Sequence, residues 1–158
     1  MNLRNCTVER QPHPAGFAHA SVQVRPQVGG DQIGCSVYEL PPGEQLWPYH
    51  WHLANEEWAV VVRGAPTLRT PEGERMLREG DVLGFPQGKD GAHTFTNATD
   101  VPVRIAIFST RKLGDAFYPD SGKVGAGPPW ERRYYRLADA VDYWEGEGAS
   151  SSGTRSRR

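Results

Sequence analysis

From residue 34 onward, apolar and polar positions fall into short runs, separated by turn residues at intervals of about ten. "CSVYEL" (35–40) stops at "PPG", and "YHWHL" (49–53) follows. "EWAVVVRG" (57–64) is rich in the branched residues that suit a pleated surface. "PTLRT" and "ERMLRE" flank the turn "PEGE", which predicts a hairpin. "DVLGFP" (81–86), "AHTFTNAT" (92–99) and "PVRIAIFST" (102–110) complete the series. Many short strands at even spacing predict an all-β domain, a sandwich or small barrel, over 34–112. Residues 1–33 are polar and broken by Pro12, Pro14, Pro26, Gly29 and Gly30, so they predict an arm with one strand near "ASVQVRP". Residues 113–145 predict an irregular C-terminal extension in which only "DAVDYW" (139–144) hints at a helix. The Gly/Ser-rich and then basic end, 146–158, is expected to be a disordered tail.

Composition narrows the function classes. A length of 158 residues suits one core, and 18 Gly with 13 Pro favours turns over helices. A net charge of −1 supplies no field for nucleic acid or a membrane surface. No apolar run approaches the roughly 18 residues of a bilayer span, and the N-terminus lacks a signal-peptide core. A cytoplasmic protein with a small-molecule ligand is expected, with no nucleic-acid or membrane partner. Cys6 and Cys35 lack CxxC spacing, which predicts buried or idle thiols.

Candidate chemistry is concentrated in "PYHWHLANEEW" (48–58). Side chains alternate along a strand, so His50 and His52 point one way and Trp51 the other. From Glu57, the residues Ala59, Val61 and Arg63 share its face. A turn at "LANE" would bring Glu57 to the same ion as the histidines, and His93 opens another run in phase with Phe95 and Asn97. Three imidazoles and a carboxylate make a mixed N/O set for Fe, Mn, Ni, Co or Zn. Taken alone, paired strand histidines are as often surface or hydrogen-bonded core residues.

The glycine and proline framework around them resembles the cupin family. Gly43, His50, His52, Glu57 and Gly64 match its first motif, with a Gly43-to-His50 spacer one residue longer than usual. Gly80, Pro86, Gly88, His93 and Asn97 match its second, with "KDGA" longer than the usual spacer. The resemblance implies a double-stranded β-helix, the cupin jelly-roll barrel. It implies His50, His52, Glu57 and His93 as ligands of one divalent transition metal ion (Zn, Mn, Fe or Ni), turn roles for the glycines, and a homodimer. The six-residue gap to Gly64 and the phase of Ala59 and Val61 favour Glu57 over Glu56 as the carboxylate.

Tyr38, Trp47, Arg63, Lys89, Phe95 and Arg104 are candidates for the barrel interior or mouth. Arg63 could meet an anion or close a strand end; Lys89 could serve acid–base work or sit in a solvated loop. "FYPDSGKVG" (117–125) carries Tyr118, Asp120, Ser121 and Lys123 between glycine and proline. It reads as a lid or ligand loop, or as a surface loop, and is similar to a stretch in small bacterial cupins, some labelled sugar-phosphate isomerase-like. Catalytic candidates are therefore Lys89, Tyr118, Asp120, Lys123 and Arg63. His13 and His19 fall outside any ligand spacing. The expected function is a metal-dependent enzyme on a small polar substrate, such as a sugar or sugar phosphate, of isomerase or epimerase type. The alternatives are a non-catalytic binding or sensing protein and an Fe-dependent dioxygenase, which would favour a more apolar pocket.

Overall fold

The computed structural model describes residues 1–128 and 130–147. Its strands are β1 (Glu9–Arg10), β2 (Ala20–Gln23), β3 (Gly34–Leu40), β4 (Gln45–His52), β5 (Glu57–Arg63), β6 (Thr67–Thr70) and β7 (Gly73–Met76). They continue with β8 (Val82–Phe85), β9 (His93–Thr96), β10 (Val103–Ser109), β11 (Ala116–Tyr118), β12 (Lys123–Ala126) and β13 (Arg133–Arg136). Among the described residues there is one short α-helix, α1 (Arg25–Val28), with Pro26 as its second residue, where a fixed φ suits the first turn. Among the described residues no helix is long and apolar enough to cross a membrane.

The strands form two antiparallel sheets, ordered β1-β2-β3-β10-β5-β8 and β13-β12-β11-β4-β9-β6-β7. This is a jelly-roll barrel, as the cupin resemblance implied. Alternation fills its interior: Leu40, Leu46, Ala59, Val61, Leu68, Phe85, Phe95, Val103 and Ile105 are all buried in one cluster. Burying each large side chain contributes roughly 1.5–3 kcal/mol. Where alternation breaks, a bulge accounts for it. Between β4 and β9, Leu46 stands opposite Phe95 but His50 opposite His93, so β4 carries two extra residues. Trp47 takes φ 58° there, a left-handed turn rare for a bulky residue. Its carbonyl accepts hydrogen bonds from Thr94 Oγ1 (2.9 Å) and Gln45 Nε2 (3.0 Å), which hold the bulge in place. The long Gly43-to-His50 spacer is absorbed at this bulge.

The outer face of the six-stranded sheet carries a second apolar cluster, Val24, Val37 and Ala106, against which Leu3, Cys6, Val8 and Cys35 pack. Burial, with a smaller push from Cys6, raises the Cys35 thiol to about 11. Beside it, Arg104 is 6% exposed. Its Nη2 meets Glu39 Oε2 at 2.7 Å, and its Nη1 donates to the carbonyls of Leu3 (3.4 Å), Arg4 (2.7 Å) and Cys6 (3.1 Å). A cation this buried is tolerable because both its charge and its donors are matched.

Two sequence expectations change. "DAVDYW" forms no α-helix: a single 3₁₀ turn covers Leu137–Asp139, and turns follow. Leu137, Val141 and Trp144 stay exposed, and a short helix without a surface to bury against is not stable alone. The extension is also less irregular than expected, since β11 pairs with β4 and carries β12 and β13 with it. The expected tail lies, from residue 148, outside the described residues.

Candidate metal centre

The strand register brings the predicted donors together. β4 presents His50 and His52 to the interior, β9 presents His93 opposite His50, and β5 opens on Glu57. Donor atoms of His50, His52 and Glu57 lie within 4.8 Å of one another. Glu57 Oε2 is 3.4 Å from His52 Nε2 and 3.5 Å from His93 Nε2, so His93 joins the group through the carboxylate. Glu56, by contrast, is exposed and accepts from Trp58 Nε1 at 3.2 Å. The cluster therefore uses Glu57 and leaves Glu56 on the surface.

The ring orientations suit a cation. His50 Nδ1 donates to the Pro48 carbonyl at 2.8 Å, and His93 Nδ1 donates to the Gly91 carbonyl at 2.9 Å. Each carbonyl fixes the tautomer and leaves Nε2 as a free lone pair. Phe85 stacks on His93 at 3.8 Å with an 11° interplanar angle, which fixes that ring's tilt. Burial, then the neighbouring His93 and His52, push His50 down to about 3. Burial likewise lowers His93, against the opposing pull of Glu57. Burial alone would raise Glu57, but the hydrogen bond from His52 and attraction to the imidazoles hold it below the usual carboxylate range. Burial that disfavours charge on His50 and His93, beside a Glu57 carboxylate held low and within reach of His52, makes a mixed imidazole–carboxylate donor set that fits a divalent transition metal.

The remaining candidates separate. The Tyr118 ring stacks on His50, centroids 5.9 Å apart at 21°. Burial and the nearby Tyr134 raise its phenol to about 12, so it is protonated at neutral pH. Lys123 Nζ lies 5.8 Å from the Tyr118 ring centroid. Asp120 is exposed and binds Arg69 through two hydrogen bonds of 2.7 and 2.9 Å, which ties the 117–125 segment to β6. Lys89 is exposed on the 3₁₀ turn Lys89–Gly91. Arg63 and Arg104 do not face the interior. Both bind Glu39, at 2.8 and 2.7 Å. The reason is a second bulge: Ile105 pairs with Val61 but Arg104 with Arg63, so Val62 is extra and Arg63 turns outward.

Sequence spacing gave no place to His13 and His19, which the fold stacks at 4.1 Å and packs against Trp47. No ligand spacing marks them, because the contact joins the arm to the β4 bulge.

Residues 36–109 match the family model described as Cupin domain. That match covers a little under half of the chain, and the two-sheet barrel extends beyond it at both ends. Among solved structures it is similar to a sugar phosphate isomerase from a cupin superfamily of Silicibacter pomeroyi. That similarity has 25% identity and a TM-score of 0.74, covering 84% of this chain and 88% of that one. A proposed sugar phosphate isomerase of Acidithiobacillus ferrooxidans is similar at 23% identity and a TM-score of 0.79, covering 87% and 89%. A cupin 2 conserved barrel domain protein of Rhodopseudomonas palustris is similar at 13% identity and a TM-score of 0.59, covering 71% and 76%. The last two likenesses bear on the fold alone. No curated protein matches the sequence.

Proposed function

We propose that this protein is a metal-dependent enzyme that isomerises or epimerises a small sugar or sugar phosphate. The observation that carries the reading is the convergence of three imidazoles on the Glu57 carboxylate at the edge of a polar cavity. The 25%-identical Silicibacter pomeroyi structure, named a sugar phosphate isomerase, supports the substrate class. His50, His52, Glu57 and His93 would hold a divalent transition metal. When bound, the metal supplies Lewis acidity toward a substrate carbonyl.

The chain's own groups supply the rest. The Pro48 and Gly91 carbonyls keep the His50 and His93 rings oriented. Tyr118, protonated and stacked on His50, holds a proton at Oη beside the cluster and is the candidate acid. The Arg69–Asp120 pair steadies the segment that carries it. Ser36, Ser109, Arg25 and Arg111 around Glu57 make the cavity polar, which fits a hydroxylated substrate better than the apolar pocket of a dioxygenase.

The test is elemental analysis of untagged protein, followed by an aldose–ketose and epimer screen with parallel oxygen measurement. The reading expects about one metal per chain, interconversion without oxygen uptake, and loss of metal in the His50→Ala/His52→Ala double variant. Full metal content in that variant would sink the site. Oxygen consumption would replace the isomerase with an oxygenase.

A further inference from the structure

A cavity of about 170 Å³ opens beside Glu57, lined also by Arg25, Arg111, Ser36, Ser109 and Gln23. The register explains how they meet. Ser109 stands opposite Glu57 on one neighbouring strand and Gly34 on the other, and Ser36 stands opposite Gln23. Gly34 leaves the space that Arg111 crosses. A Cβ there would lie 2.9 Å from Arg111 Cγ and 3.0 Å from Ser109 Oγ. Arg111 holds φ 54°, a left-handed conformation that a non-glycine residue keeps only when its surroundings enforce it. Its Nη1 donates to the Asp31 carbonyl at 3.0 Å, which anchors the guanidinium.

Charge pairing among the described residues leaves these two arginines free for an anion. Arg63, Arg69 and Arg104 each bind a carboxylate. Among the described residues, neither Arg25 nor Arg111 has a carboxylate within ion-pair distance. The one carboxylate lining the cavity, Glu57, has its Oε2 turned to His52 and His93.

We infer that this cavity binds the phosphate monoester head group of the substrate. The inference deepens the sugar-phosphate reading above and rests on it. Two guanidiniums match a dianion in charge, and two hydroxyls with the Gln23 amide add donors for its oxygens. Whole-ligand pockets begin near roughly 300 Å³, so this smaller space suits a head group. The rest of the substrate extends toward the histidine cluster at Glu57.

The test measures inorganic phosphate binding to the metal-loaded full chain by calorimetry, with acetate as the comparison anion. Phosphate is expected to bind at least about tenfold tighter than acetate. Arg25→Gln and Arg111→Gln are each expected to weaken it by about tenfold to a hundredfold, with metal content and Tm at wild-type values. Arg111→Lys, which keeps the charge and loses the fork, is expected to fall between, and it guards against a folding artefact. His50→Ala/His52→Ala is expected to lose metal yet keep phosphate affinity. Acetate binding as tightly as phosphate overturns the inference. So does phosphate affinity that ignores the arginine variants, or that vanishes only with the histidines, since the anion would then sit on the metal. Each of these three results leaves the metal centre standing, whereas full metal content in the double histidine variant sinks that centre and not the phosphate subsite.

Discussion

Asn97 is wholly buried, and its amide is engaged on every side. Nδ2 donates to the carbonyls of Leu40 (3.0 Å) and Val101 (2.9 Å), and Oδ1 accepts from Thr99 N (3.0 Å) and Thr99 Oγ1 (2.6 Å). One side chain thus closes the turn after β9 onto the end of β3. Asn97→Ala removes the side-chain donor to the buried Leu40 carbonyl and leaves a cavity, so it is expected to cost about 2–4 kcal/mol. A lowered urea midpoint at unchanged slope would show it, and a midpoint at the wild-type value would refute the role. Asn97 was legible in the sequence only through the second cupin motif, which ends on it. The donors were legible by spacing: His50 and His52 share a face by alternation, and Glu57 follows by phase. Arg63 was misread by that same rule. Counting in twos assumes an unbroken ladder, and the extra Val62 is visible only in the pairing of β5 with β10.

The 3₁₀ turn Lys89–Gly91 connects β8 to β9 and delivers His93. Its last residue tolerates no side chain: a Cβ on Gly91 would lie 1.8 Å from the Pro86 carbonyl oxygen. The Gly91 carbonyl is also the acceptor that orients His93. Gly91→Ala is therefore expected to weaken metal affinity by about tenfold to a hundredfold and to cost about 1–3 kcal/mol of stability. A chelator-competition titration and a urea curve measure the two effects. Wild-type values in both would remove the turn from the site's support. Most of the strands from β3 to β10 stood out in the sequence because they bury one face, and β7, wholly exposed, stood out through the hairpin turn "PEGE". β12 and β13 did not, because "KVGA" is interrupted by glycine and all four residues of β13 are exposed, which leaves no apolar period to read. The longer "KDGA" spacer is the 3₁₀ turn itself.

At the scale of the whole molecule, the proposed metal would bind β4, β5 and β9 at once, and so both sheets. A ligand held only by the folded state adds stability in proportion to its saturation. Metal at about a hundredfold its Kd is expected to add about 2.7 kcal/mol, read as a rise in Tm of roughly 5–10 °C over chelator-treated protein. An unchanged Tm across a metal titration would speak against a site that joins the sheets. The two-sheet architecture was legible from strand count and spacing, whereas the outer cluster was not, since nothing in "MNLRNCTV" announces that it covers a sheet. That cover also orders events in time. Arg4 gives its carbonyl to Arg104, a hundred residues later in the chain, so the N-terminal segment has no seat until β10 has paired between β3 and β5. Contacts of such long sequence separation form slowly. Docking of the N-terminal segment thus depends on β10 being in place, and it is the contact that takes Arg104 out of water.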